Sequence, residues 1–221
     1  MKLYNYFRSS AAYRVRIALN LKGIDWEHVG VHLVKREQRS PEYLKLNPAG
    51  LVPALVDDDE NVLTQSIAIM EYLDDLKPRK ARLVPADPIA KAYVRALSLS
   101  LACDVHPLNN VRVLNYLTAE LNVTQAQKDA WIAYWITTGL DALENTLANE
   151  RAKKSALAPG NYCVGDAPTL ADCVLVPQVF SARRFNVDVS KYPLIEGIDA
   201  HCSANEAFAA AHPGKQPDFQ P

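Results

Sequence analysis

Between residues 3 and 19 the chain changes its backbone preference once, and the change is visible in residue type. Leu3, Tyr4, Tyr6 and Phe7 make an apolar start suited to a short strand. Ser9 and Ser10 interrupt it, and Ala11 and Ala12 lead into Tyr13-Arg14-Val15-Arg16-Ile17-Ala18-Leu19. Read physically, a strand ends, two hydroxyls sit at the turn and a helix begins. The first turn of a helix carries N–H groups with no intrahelical partner and a partial positive charge. It therefore favours an anion, to which Ser9 or Ser10 has an O–H to donate. Taken alone, a Ser-Ser pair is more often a plain N-cap. Residues 14–21 also alternate as a strand would. Against that, Val15, Ala18 and Leu19 share one helical face and Gly23 supplies a stop.

The following residues extend this start into an α/β pattern. Residues 2–7 and 26–33 read as strands. Residues 52–56 and 62–64 flank Asp57-Asp58-Asp59-Glu60 as a hairpin with a charged turn. Residues 66–76 read as a helix capped by Ser66. Lys77-Pro78-Arg79-Lys80-Ala81-Arg82 and the prolines at 85 and 88 then break the pattern with a charged, proline-rich linker. Beyond it, 89–104, 107–121, 125–149 and 169–180 read as helices, 153–161 as a loop, and 213–221 as an extended or poorly ordered tail. The chain has no internal repeat. The 221 residues thus divide into an α/β domain at 1–80, a linker at 81–88 and an all-helical domain at 89–221.

Composition removes several classes of function. The formal net charge of −1 gives no support for a nucleic-acid or anionic-membrane partner. No apolar run approaches the ~18 residues that span a bilayer, and Arg8, Arg14 and Arg16 interrupt any signal-peptide layout. Cys103, Cys163, Cys173 and Cys202 are scattered without a Cys-x-x-Cys, as reduced thiols of a cytoplasmic protein would be. Cys163 and Cys173 lie in apolar surroundings suited to a core. No Cys, His or carboxylate partner stands at ligand spacing from His106, so no metal is expected.

Three further segments are informative in their order: Asn47-Pro48-Ala49-Gly50-Leu51-Val52-Pro53-Ala54-Leu55, Leu63-Thr64-Gln65-Ser66-Ile67-Ala68-Ile69, and Tyr162-Cys163-Val164-Gly165-Asp166 followed by Thr169-Leu170-Ala171-Asp172, Val176-Pro177-Gln178 and Arg184-Phe185. Together with the Ser-Ser-x-x-aromatic-Arg-Val-Arg start, they resemble the zeta class of glutathione transferases, over nearly the whole chain. The resemblance implies a thioredoxin-like N-terminal domain followed by an all-α C-terminal domain. It also implies glutathione as cofactor, a homodimer, and cis–trans isomerisation of a small maleyl 1,3-dicarbonyl acid such as maleylpyruvate or maleylacetoacetate.

It further implies roles for individual residues. Ser9 matches the family's catalytic serine, with Ser10 as its backup and Arg8 beside it. Val52-Pro53 matches a cis-proline turn whose Val52 backbone pairs with glutathione. Gln65 and Ser66 match the site of the γ-glutamyl carboxylate, and Gln38 a residue at the glycyl end. His106 and Asn110, four apart and expected on one helical face, match a segment that borders glutathione and the second substrate. Arg8, Arg112 and Arg184 are expected to pair with substrate carboxylates, for which guanidinium forks are suited. Each arginine alone reads as a solvated surface charge, and Arg14 and Arg16 as projections from the first helix. Thr169 to Asp172 is a capping box, assigned to folding.

One departure stands out. Zeta enzymes commonly read Ser-Ser-Cys-Ser where this chain has Ser9-Ser10-Ala11-Ala12. Two other functions use much of the same residue set: a glutathione transferase or dehalogenase acting on small α-halo acids, and a non-catalytic binding protein of the same fold.

Overall fold

A four-residue strand, β1 (Lys2–Asn5), forms the axis of the first of two units. The computed structural model describes residues 1–78, 80 and 82–220. Arg79 and Ala81 of the expected linker, and Pro221 of the expected tail, lie outside them. The first unit comprises Met1–Leu83 and Ala204–Pro221, the second Val84–Ser203. The sequence reading placed everything after 89 in the helical domain. By its contacts, the segment from Ala204 onward packs with the N-terminal residues instead.

In the first unit β1 runs parallel to β2 (Glu27–Gly30) and antiparallel to β3 (Ala54–Val56), which pairs with β4 (Val62–Thr64). The sheet order is β2-β1-β3-β4. Parallel neighbours need a crossover, and α1 (Ser10–Lys22) supplies it. Strand β1 is shorter than the apolar run suggests because the chain turns at once: Ser9 N–H donates to Tyr6 C=O at 2.9 Å. Helix α1 ends on Gly23 at φ 60°, a conformation open to glycine without a Cβ clash.

Helix α1 has no polar face. Every residue from Ala12 to Leu19 is buried, because α1 packs against both α3 (Ser66–Leu76) and α9 (Glu206–Ala211). The remaining helix, α2 (Pro41–Leu46), contributes Tyr43 to a cluster with Tyr6, Phe7, Val31 and Val52. The Asp57 turn is built as the sequence suggests. Asp57 accepts from the Asp59 and Asn61 amides, the Asn61 side chain and the Tyr72 hydroxyl. Part of the expected linker is fastened to this unit. Buried Asp74 accepts from Leu83 N–H at 2.8 Å and pairs with Lys22 at 2.6 Å and Arg82 at 3.3 Å.

The tail is not loose. Gln216 Nε2 donates to the carbonyls of Ala210 and His212, each at 3.0 Å, and Asp218 and Phe219 reach Phe7. Polar anchors and one aromatic contact hold a segment whose proline content suggested the opposite.

The second unit consists of α4 (Pro88–Asp104), α5 (Val111–Ala119), α6 (Gln125–Lys153), α7 (Leu170–Arg184) and α8 (Pro193–Ala204). Helix α6 buries a stripe of Ile132, Ile136, Leu140, Leu143 and Leu147 at helical spacing. Helix α7 is buried on all sides from Leu170 to Val179 and runs through Pro177. At its start buried Asp172 accepts from the N–H of Thr169 and Cys163 at 2.7 Å each, and from the Thr169 hydroxyl at 2.8 Å. The capping box is therefore present and joins the preceding loop to the helix. Burial raises the Asp172 pKa despite these donors. Cys163 and Cys173 are buried thiols, as expected, and burial pushes the Cys163 thiol well up.

Candidate functional site

The first unit brings together two helix starts. Ser9 is the N-cap of α1, with extended backbone at φ −71° and ψ 116°, and its Oγ accepts from Ala12 N–H at 3.2 Å. That bond occupies a lone pair and leaves the hydroxyl proton free to donate. Ser10 opens the helix. The amides of Ser10 and Ala11 are among those that a first turn cannot satisfy within the helix. Arg8 is exposed, its guanidinium 5.3 Å from the centre of the Phe7 ring and its Nη2 3.4 Å from the Tyr6 hydroxyl.

The second start is that of α3, and it corrects one expectation. Gln65, not Ser66, is the N-cap, at the unusual φ of 67° and without a capping side-chain bond. Ser66 is the first helical residue. Its buried Oγ accepts from Arg14 Nη1 at 3.2 Å instead of capping the helix. Arg14 thus ties α1 to the start of α3. The sequence reading let Arg14 and Arg16 project outward, but they are 2% and 0% exposed. A signal was available: a helix apolar on every side leaves no solvent face for two charges.

Val52-Pro53 is a cis peptide, the isomer expected from the resemblance. The loop before it is pinned at Leu51 C=O, which accepts from the Tyr43 hydroxyl at 2.6 Å and Asn47 Nδ2 at 2.8 Å. Burial raises the Tyr43 pKa to about 12, so its hydroxyl stays a donor. Gln38 sits in a one-turn helix (Glu37–Arg39), buried, and its Oε1 has no hydrogen-bond partner among the described residues.

The other expected residues belong to the second unit. His106 opens a 3-10 turn (His106–Asn109), with Pro107 in its first turn. Asn110 leaves that turn in extended conformation and caps α5, its side chain accepting from Arg112 N–H at 3.1 Å. The two therefore do not share a helical face. Pro107 and the Asn110 cap divide what reads as one helix from 107 to 121. Arg112 and Arg184 are exposed, and Arg184 stacks 4.5 Å from the centre of the Phe185 ring. Arg183 pairs with Asp199 at 2.5 Å. Among the described residues no group of three or more His, Cys, Asp or Glu could hold a metal ion, and no helix is long and apolar enough to cross a membrane.

The donor set at the two helix starts suits a ligand rich in carboxylates. It consists of serine hydroxyls and first-turn amides with a buried arginine behind them, and it adds no carboxylate of its own. Residues 1–75 match the family described as glutathione S-transferase, N-terminal domain. The chain is 49% identical over 218 residues to the maleylpyruvate isomerase of a Ralstonia species, covering 99% of each. Among solved structures it matches the holo form of a maleyl pyruvate isomerase, a bacterial glutathione S-transferase in zeta class, at a TM-score of 0.93 and 48% identity, covering all of both chains. It also matches the maleylacetoacetate isomerase of Methylobacterium extorquens AM1 with bound malonate and glutathione, at a TM-score of 0.92 and 38% identity, again over all of both chains.

Proposed function

The chain belongs to the zeta class of the glutathione S-transferase family, and from that premise we propose that it is a glutathione-dependent cis–trans isomerase of maleyl 1,3-dicarbonyl acids, maleylpyruvate or maleylacetoacetate. The observation that carries the reading is Ser9 at the N-cap of α1, with its lone pair engaged by Ala12 N–H and its O–H left to donate.

When bound, glutathione supplies a thiolate that adds to the cis double bond, lets the resulting single bond turn, and leaves unchanged. The protein's part is to hold that sulfur ionised and the acid in place. Ser9 donates a hydrogen bond to the sulfur, and the positive end of α1 favours its charge. Ser10 is the alternative donor, and Arg8 adds positive charge beside the turn. Gln65 and Ser66 receive the γ-glutamyl carboxylate at the start of α3. The Val52 backbone pairs with the cysteinyl unit, and the unpartnered Gln38 Oε1 accepts at the glycyl end. Arg8 takes a carboxylate of the maleyl acid as a paired N–H donor, and resemblance alone assigns His106, Asn110, Arg112 and Arg184 of the second unit to the ligands. Ala11 and Ala12 leave Ser9 and Ser10 as the hydroxyls of this turn. A cytoplasmic homodimer belongs to the same reading.

Ultraviolet absorbance of maleylpyruvate and maleylacetoacetate, each incubated with the protein with and without glutathione, tests it. The expected result is conversion to the fumaryl isomer only with glutathione present, and glutathione recovered intact. Consumption of glutathione would point to transfer. Binding of glutathione without conversion of either acid would remove the isomerase reading.

A further inference from the structure

The turn that carries Ser9 is held from both sides by charged groups, one on the helix that follows it and one far from it in sequence. Phe7 N–H donates to Asp218 Oδ2 at 2.9 Å, across a separation of 211 residues. Phe7 C=O accepts from Arg16 Nη2 at 3.0 Å. The two charges are joined through a second route. Arg16 Nη1 donates to Asn5 Oδ1 at 3.1 Å, Asn5 Nδ2 lies 3.4 Å from His28 Nδ1, and His28 Nε2 lies 3.1 Å from Asp218 Oδ1. Arg16, Asn5, His28 and Asp218 thus gather around Phe7 at the exit of β1, with His28 and Asp218 in ion-pair range and not in hydrogen-bond geometry.

We propose that Asp218 is a positioning residue for Ser9, fixing the Phe7 amide so that the β1-to-α1 turn presents the serine hydroxyl in one place. The claim rests on the reading of Ser9 as the donor to the glutathione sulfur. The connection from Phe7 to Ser9 is short. Ser9 N–H bonds to Tyr6 C=O at 2.9 Å, and that carbonyl also receives Arg16 Nη1 at 3.5 Å. Release of Phe7 N–H removes the anchor on one side of the turn and leaves it held only through the Tyr6 and Phe7 carbonyls. The tail is anchored well enough to do this. Gln216 bonds back to two carbonyls, the Phe219 ring meets Phe7 edge-on at 5.5 Å, and Gln220 Oε1 lies 3.2 Å from His32 Nε2. The Asp218 side chain is 21% exposed and is not part of the apolar core.

The test compares wild type with Asp218→Ala and Asp218→Asn in the full chain. Three quantities are read: steady-state constants for the maleyl acid, ionisation of the bound glutathione thiol by thiolate absorbance against pH, and amide exchange at Phe7 by nuclear magnetic resonance. The expected result for Asp218→Ala is faster exchange at Phe7, a raised pKa of the bound thiol, and kcat lower by about tenfold with KM changed far less, as for a misplaced catalytic group. Asp218→Asn keeps one carbonyl oxygen for Phe7 N–H but turns an amide N–H toward His28 Nε2, so it is expected to slow Phe7 exchange again and to recover part of the thiol ionisation and kcat. Unchanged exchange and unchanged thiol ionisation in Asp218→Ala would overturn the proposal. So would a loss of activity that follows only the fraction of folded protein. If wild type isomerises no maleyl acid, the functional reading fails, and Phe7 exchange still decides whether Asp218 holds the turn.

Discussion

At the scale of single residues, what matters is which lone pairs and protons are already committed. Ser9 has its acceptor side bound to Ala12 N–H and its donor side free. Ser9→Ala removes both. Turnover should fall by about 10²–10³, as for removal of one hydrogen bond to a developing or fixed anion, and stability by about 1 kcal/mol through the lost cap. Steady-state kinetics and a urea titration separate the two losses, and wild-type kinetics in the variant would remove Ser9 from the mechanism. Asp172 shows the same logic without chemistry. Its two oxygens accept from two different backbone N–H groups, those of Cys163 and Thr169. Asparagine offers one acceptor and one donor, so it sets an N–H against an N–H. Asp172→Asn should therefore destabilise by about 2–4 kcal/mol, close to Asp172→Ala, because either leaves buried donors unpaired. A urea midpoint for Asn near that of wild type would contradict this.

At the scale of elements, packing decided what the sequence did and did not disclose. The capping box before α7, the Asp57 hairpin and the Gly23 stop are local devices, and they were legible because their residues sit within a few positions of one another. The roles of Arg14 and Arg16 were not, since their partners Ser66 and Ala211 come from α3 and the end of α9. Burial lowers the Arg16 pKa to about 10, yet carbonyl and amide oxygens surround it and it stays charged at neutral pH. The break between His106 and Val111 was also missed, because Pro107 is acceptable in a first helical turn and Asn110 reads as a cap only once its backbone is seen to be extended. Gly139 gives a test of packing in α6. Helix propensity favours alanine there by about 1 kcal/mol. A methyl group would collide with the Val105 side chain, however, and overpacking costs about 1–3 kcal/mol. Gly139→Ala should thus lower the urea midpoint, and Val105→Ala in the same chain should restore part of it. A stabilised Gly139→Ala would show that Val105 yields freely.

At the scale of the whole molecule, the α/β and helical patterns and the linker between them were readable from composition and periodicity, while the return of the segment from Ala204 to the first unit was not. Such long-range contacts leave no local pattern, and proline in the tail suggested looseness. The returning segment also sets a pH dependence. Burial holds the pKa values of His28 and His212 below the usual 6.5. Around His28, Arg16 lowers the value further and Asp218 opposes it, while Arg16 and Lys215 lower that of His212. The unfolded chain then takes up protons first as the pH falls through 6.5, so stability is full above that value and declines until the folded-state values are passed. Melting temperature should drop over this window, and His28→Gln and His212→Gln should each flatten the drop. Equal slopes in wild type and both variants would contradict it. The Phe7–Asp218 bond has a further consequence in time. A ribosome makes the serine turn early and its aspartate acceptor more than two hundred peptide bonds later. Every nascent chain, and every fragment cut ahead of Asp218, carries the serine turn without the group that holds its amide. Fixing of that turn is thereby coupled to translation having proceeded through the tail.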